Sequence, residues 1–397
     1  MKKSLLLFAA AAMVVAACCQ KGDEGEIEIP LPDKDCDAEG FVNAIKSIEV
    51  INLQVDSNSF RISDADLRVT PNYYYFLTIP RGPWGIKGYW LMCYEKKSGK
   101  LQFSRDLQGR SRAECTYPCS SFVLGDTIVI NDCGILKMYN HNGKFCGVIG
   151  DSKSNGVVLP LGNGYVCCDK EGNDNYSPDK CITLLDSAFN LADSYFAIPE
   201  MYKPVARINK NSNVYVINDT LRFMYHHIFR LHSFPDDKTY HFAATNPMPE
   251  SELKNCGNTD TQASIEFTLR VINNGYARDF EELVENQDYM FFKYSMNRMS
   301  YYVLLSKCDN KVRCIKRNRD KIDTPIDVWA VMLSSKFLYS DGRYFYFKTQ
   351  PASGAFNFLN TSKDILDTKQ RAVLDTMQAR MAQTEEQDFP LFFKIEF

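Results

Sequence analysis

Six short segments of this 397-residue chain share one pattern, and that recurrence limits the possible folds more than any other feature. They are 72–77 (NYYYFL), 126–131 (DTIVIN), 164–169 (GYVCCD), 213–218 (NVYVIN), 288–293 (DYMFFK) and 343–348 (RYFYFK). Each opens on a polar or small turn residue and continues in aromatic and β-branched residues, which suit a buried strand. Their starts lie 54, 38, 49, 75 and 55 residues apart. Most are followed by a second β-prone run broken by a turn signal, at 97–100, 141–144, 186–187, 235–238 and 309–311. Asn142-Gly143 is the most specific of these, because a two-residue hairpin turn needs positive φ. Strand, gap and hairpin repeated six times predict four-stranded blades, and hence an all-β six-bladed β-propeller of roughly 60 residues per blade. Two packed sandwiches are the competing architecture, and they require no sixfold recurrence.

Helical periodicity is nearly absent before residue 360. The widest gap, about 245–287, is the place for an insertion, with 281–285 (EELVE) as a short helical piece. A C-terminal helix is expected over about 362–382, started by a capping box at Thr361 and Asp364. Ile365, Leu366, Val373, Met377 and Met381 form its apolar side, which is expected to pack across the propeller's own face. The final 389–397 run alternates enough for a strand, and pairing it into the first or last blade would close the ring.

The N-terminus reads as an address. Lys2 and Lys3 precede a 14-residue apolar stretch, Ser4 to Ala17, too short to cross a bilayer as a stable helix. It ends in Val15-Ala16-Ala17-Cys18, which resembles a bacterial lipobox. The expectation is a signal peptide over 1–17 and acylation of Cys18, which would hold the mature chain on a lipid bilayer. Residues 20–39 carry a net charge of −6 and read as part of an acidic flexible tether over 18–40, ahead of a propeller over 41–397. Residues 20–24 (QKGDE) resemble the lysine-plus-acid signal that sends Bacteroidota lipoproteins to the outer face of the outer membrane. A periplasm-facing outer-membrane protein is the alternative. No later stretch is long and apolar enough for a transmembrane helix. With a net charge of only +1 over 40–397 and no basic cluster, nothing points to nucleic acid.

Fourteen cysteines fit an oxidising compartment, and thirteen remain once Cys18 is set aside. Cys308 and Cys314 flank a five-residue turn and are placed to face each other. Cys115 and Cys119 have a zinc-like spacing but lack a second pair nearby, so they read as a loop disulfide or two thiols. Cys167 and Cys168, adjacent in a strand, should point to opposite faces.

No catalytic motif stands out. The chain has no Gly-x-Ser-x-Gly elbow, no His-Glu-x-x-His and no phosphate-cradling glycine loop, so no catalytic residue, metal ligand or cofactor is assigned. Two constellations could carry metal chemistry. A hairpin turning at Asp236-Asp237 would pair His232 with His241 and bring His226 to the same face. Asp126, Asn213 and Asp288, at segment starts, could converge on a calcium ion as in propeller lactonases. The binding candidates are Trp84 and Trp90, beside the 81–88 loop (RGPWGIKG), where an aromatic ring can stack on a sugar.

These residues together resemble the six-bladed β-propeller lipoproteins of Bacteroidota, a group akin in outline to NHL-type propellers. The likeness lies in 48–53 leading into 63–77, in the 138–150 hairpin (MYNHNGKFCGVIG) and in the closing 385–391 run (EEQDFPL). Asn142 replaces the usual Asp, Phe389 stands where Asn is usual, and the glycine-rich stretch after 150 is reduced. The resemblance implies a fold and an exported, lipid-anchored location, with no assigned reaction. The resulting expectation is a non-catalytic binding module for a glycan or protein. A calcium- or metal-dependent propeller hydrolase is the alternative.

Overall fold

In a computed structural model of the chain, the structure describes residues 26–33, 36–54, 65–78, 88–169, 175–198, 213–224, 229–253, 261–317, 324–333, 336–349, 363–382 and 391–397. Trp84, Cys18 and His226 lie outside them. Two strands, β1 (Glu26–Pro30) and β2 (Ser47–Ile51), precede the blades. Blade I is β3 (Ala65–Val69), β4 (Tyr73–Thr78), β5 (Trp90–Glu95) and β6 (Leu101–Asp106). Blade II is β7 (Pro118–Leu124), β8 (Thr127–Asp132), β9 (Ile135–Tyr139) and β10 (Phe145–Asp151). Blade III is β11 (Val157–Leu161), β12 (Gly164–Cys168), β13 (Lys180–Leu185) and β14 (Leu191–Ala197). Blade IV is β15 (Asn213–Ile217), β16 (Thr220–Met224), β17 (Arg230–Phe234) and β18 (Thr239–Ala243). Blade V is β19 (Arg278–Glu285), β20 (Tyr289–Met296), β21 (Met299–Ser306) and β22 (Val312–Arg317). Blade VI is β23 (Lys336–Ser340), β24 (Tyr344–Thr349) and β25 (Leu391–Glu396), completed by β2 from the other end of the chain.

The six inner strands β3, β7, β11, β15, β19 and β23 neighbour one another in a closed ring. The chain-terminal β25 pairs with β24 on one side and with β2 on the other, so ring closure joins both ends of the chain in one sheet. Aromatic pairs fill the interfaces between blades. Phe122 meets Tyr165, Phe196 meets Phe223, Phe242 meets Phe292, Phe291 meets Phe347 and Phe392 meets Phe76, with ring centroids 4.9–6.0 Å apart. Between blades I and II the interface is Tyr75, Ile128, Ile130 and Tyr139. Cys167 and Cys168 do point oppositely: Cys167 packs between blades II and III, Cys168 between III and IV.

The recurrent segment is the second strand in five blades. In blade IV it is the inner strand β15, and the second strand β16 follows. The second strand is buried on both faces, which is why its sequence is so uniformly apolar. Expectations for three connecting segments need correction. Residues 281–285 belong to strand β19, whose pairing with β20 shifts register twice. The helices of the wide gap come earlier, as α2 (Glu250–Leu253) and α3 (Thr261–Asn273), after α1 (Ala38–Ala44). The turn after β9 spans 140–144, with only Gly143 at positive φ (+72°) and the Asn140 side chain accepting from Asn142 N and Lys144 N. Gly143 is required twice over, because a Cβ there would lie 2.8 Å from the Phe103 ring.

Helices α4 (Pro325–Leu333) and α5 (Thr368–Ala382) fill the wedge that opens outward between blades V and VI, where they meet α1. The C-terminal helix thus packs into that wedge rather than across the propeller face. Leu366, Val373 and Leu374 face the core, and the buried Trp329 of α4 donates from Nε1 to Asp367 Oδ2 at 3.0 Å. The capping box of α5 lies further along than expected, between Asp367 and Gln370. Gln370 N donates to Asp367 Oδ1, and Asp367 N to Gln370 Oε1. Thr361 lies outside the described residues.

Within the segment expected as a tether, residues 26–33 and 36–40 belong to the fold. β1 adds to blade IV as a fifth strand, parallel to β18, and α1 is capped by Asp37 accepting from Gly40 N. Ile27 and Ile29 alternate with Glu26 and Glu28, a period that suits a sheet edge. Among the described residues no helix is long and apolar enough to cross a membrane.

Candidate functional site

The two ends of the ring differ. Inner and second strands are joined by tight turns at 70–72, 125–126, 162–163, 218–219, 286–288 and 341–343. Those turns satisfy one another: Asn72 Nδ2 donates to Asp126 Oδ2 (2.7 Å), Gly162 N to Asp219 Oδ1 (3.3 Å) and Asn286 Nδ2 to Arg343 O (3.2 Å). The hydrogen bond from Asn72 also holds the Asp126 carboxyl below its ordinary pKa. Asp126 and Asp288 sit at this end in blades II and V, while Asn213 begins β15 at the other end. The three do not converge as a calcium site would require. Among the described residues no group of three His, Cys, Asp or Glu side chains could hold a metal ion.

The long connections all leave from the opposite end, at 52–64, 79–89, 107–117, 169–179, 198–212, 244–277, 318–335 and 350–390. Loops on a rigid scaffold are where binding residues concentrate. The best-defined of them is 107–117, which crosses from blade I to blade II. The buried Asp132, ending β8, accepts from Thr116 N at 2.9 Å and from Tyr117 N at 2.6 Å. Its other oxygen is 2.7 Å from Lys137 Nζ, and that ammonium also donates to Glu114 O. Cys115 N donates to Leu107 O and Gly109 N to Cys115 O, closing the loop on itself. Its last residue, Tyr117, stands directly before the inner strand β7 with half of its surface exposed. Tyr89 stands nearby, its phenol pushed up first by burial and then by Tyr117.

The next connection is also held from beneath. Asn131 Nδ2 donates to Ser154 O and Gly156 O, Gly134 N to Asn131 Oδ1, and Ser154 Oγ to Asp169. Such buried, satisfied polar groups fix backbone that no regular ladder fixes. Tyr117 is the residue that sequence reasoning missed. Its only signal is a Tyr-Pro step between polar residues.

Trp90 begins β5 at this same end. Its backbone exchanges hydrogen bonds with Thr78 Oγ1 (2.9 and 3.0 Å), and its half-buried ring packs on the cluster that includes Leu67, Tyr94 and Phe392. Cys115 and Cys119 are not a pair. Cys115 Sγ lies 3.6 Å from Tyr139 OH, while Cys119 faces Tyr117 O and neighbours Cys133. Burial pushes both thiols up to about 11, which keeps them protonated.

The histidine register also differs from expectation. His232 pairs with Thr239 and His241 with Arg230, a slip of two residues that leaves both on one face but no longer opposite. The His232 ring lies against Phe196 (5.1 Å) and Phe223 (6.4 Å), with Nδ1 3.2 Å from Thr239 Oγ1. Burial, and then Arg230, lower its pKa, so the fold favours the neutral ring. The stability this contributes is present above the unfolded value near 6.5 and is lost as pH falls toward the lower folded value. The thermal midpoint should therefore drop between about pH 7.5 and about pH 5.5, and drop less in His232→Phe. Equal slopes for the two proteins would contradict this.

No family model and no curated protein matches the chain. Solved structures do. A protein of Bacteroides fragilis described as exported superposes with a TM-score of 0.67 at 14% identity, covering 94% of this chain and 99% of that one. A member of the DUF4221 family from Bacteroides vulgatus gives a TM-score of 0.44 at 9% identity, over 88% of this chain and 97% of that one. The first likeness shows the fold, and the second is too loose to add to it. The chain is a six-bladed β-propeller with a fold relative in Bacteroides.

Proposed function

We propose that this protein is an exported, lipid-anchored propeller that binds its ligand, without catalysis, at the loop-bearing end. Residues 1–17 act as the signal peptide and Cys18 carries the acyl chains, in the outer membrane and facing outward. The observation that carries the binding reading is the difference between the ends: one closed by short, mutually bonded turns, the other offering Tyr117 on a loop pinned by Asp132. Trp90 begins β5 at this end, Trp84 precedes it in the 79–89 sequence, and a glycan is the ligand class that such aromatic side chains suit.

The anchor has a geometric consequence. β1 begins at Glu26, so only residues 18–25 separate the acylated cysteine from the rim of blade IV. Fully extended, that stretch reaches roughly 30 Å, which keeps this rim close to the bilayer.

Two measurements test the reading. Cys18→Ser should abolish acyl incorporation and move the chain from the membrane fraction to the soluble one; a variant that stays membrane-bound removes the anchor. In a thermal-shift screen with glycans, lactones and divalent cations, a glycan should stabilise the protein by roughly 2.7 kcal/mol at about 100 times Kd. That shift should survive EDTA and be lost in Trp84→Ala and Tyr117→Ala. A calcium-dependent shift would instead favour the hydrolase.

A further inference from the structure

The N-terminal segment runs along the outer rims of three successive blades. β1 lines blade IV, β2 completes blade VI, and the stretch between them lies on blade V. There the Tyr294 hydroxyl donates to Pro32 O, and the Tyr301 hydroxyl donates to Asp33 O at 3.1 Å. Lys311 Nζ is 3.3 Å from Asp37, and α1 packs on β22. Midway along this belt, Cys36 Sγ lies 2.7 Å from Cys314 Sγ on β22, across 278 positions of sequence. Cys314 is buried and Cys36 partly so. The partner expected for Cys314, Cys308, sits in the turn beyond β21 with its sulfur 3.2 Å from Ser306 Oγ, while Cys314 pairs across the ladder with Val303.

We propose that Cys36 and Cys314 are joined by a disulfide that fastens the N-terminal belt to blade V. The belt is already pinned on both sides of Cys36, so the two sulfurs are held near the separation of about 2.05 Å that the bond needs. In the reaction the two S–H bonds break and one S–S bond forms. The two electrons and two protons pass to an external disulfide, either of a thiol–disulfide oxidoreductase or of an oxidised low-molecular-weight thiol. That oxidant leaves by way of a mixed disulfide, the oxidoreductase as its dithiol and the low-molecular-weight disulfide as two thiols. Burial pushes the Cys314 thiol far up, so attack begins at the more accessible Cys36. The proposal rests on the export reading, because an oxidising compartment supplies the donor.

The test uses the full chain from the membrane and soluble fractions together, unfolded without reductant, alkylated and digested. The expected product is one species linking the peptides that contain Cys36 and Cys314, two hydrogen atoms lighter than their sum and resolved into two by reduction. Cys36→Ser should lower the thermal midpoint by several degrees, and reductant should lower it no further. Alkyl groups on both cysteines, or a link from Cys314 to Cys308, would overturn the proposal. The Cys18 peptide in the same digest reports acylation separately. An unlinked pair on an acylated chain thus removes the disulfide alone, and a linked pair on an unacylated chain removes the anchor alone.

Discussion

Glu285→Ala is expected to cost about 3–5 kcal/mol of stability, a large part of what holds a domain together. The Glu285 side chain ends β19, fully buried, with Oε1 2.8 Å from Arg222 Nε in blade IV and Oε2 2.8 Å from Lys307 Nζ in blade V. Its backbone carbonyl accepts from Ser340 Oγ of blade VI, so one residue ties three blades. Arg222 is nearly buried as well, stacks 5.7 Å over the Tyr240 ring and donates to Ser233 Oγ. Removing the carboxylate leaves that guanidinium without its main counter-charge in a site water does not reach. The loss follows from an orphaned charge rather than from a large net gain of the pair. Arg222→Met combined with Glu285→Leu should therefore cost less than the two single changes added together. Chemical denaturation of the four proteins decides this, and additive losses would show that the two groups act independently.

Removing residues 1–52 is expected to abolish the cooperative unfolding transition. That deletion takes β2 from blade VI and exposes the edge of β25. It also strips Phe41 and Ile45 from the core cluster they share with Trp329 and Phe397. Each buried side chain of this kind contributes about 1.5–3 kcal/mol, and with the lost strand the deficit approaches the whole stability of a typical domain. Removing only residues 1–31 deletes β1, an added outer strand, and should leave a cooperative transition at a lower temperature. A synthetic 38–52 peptide should restore the fold of the chain that starts at residue 53. A sharp, unaltered transition without the first 52 residues would mean that blade VI is stable with three strands.

How far the sequence could be read follows from burial. The second strands announced themselves because they are covered on both faces, as in β4, β8 and β20. β16 was hidden by Arg222, a charge placed where its neighbours carry hydrophobic residues, because it serves the Glu285 network. The helix α4 (PIDVWAVML) shows no polar face to mark it as helical, since Val328, Trp329, Ala330 and Leu333 are all buried in the wedge. In β19 the register shifts break the alternation that identifies a strand. The opening belt misled in the other direction: its acidic charge suggested a tether, while the Ile27 and Ile29 alternation carried the strand. At the candidate site the sequence offers Trp90 and the long 79–89 loop beside it. Tyr117 carries no such mark, because its exposure depends on Asp132, on the neighbouring strand β8 of the same blade, gripping the 107–117 backbone.

Binding at the loop-bearing end, as proposed, would leave a definite footprint on the backbone. Hydrogen exchange of the full chain, with and without the glycan that gives the largest metal-independent thermal shift, tests this most directly. New protection is expected only at residues 79–89 and 107–117 and the connections beside them, with the turns at 125–126, 162–163 and 218–219 unchanged. Protection at those turns, or no glycan that stabilises the protein at all, would contradict it.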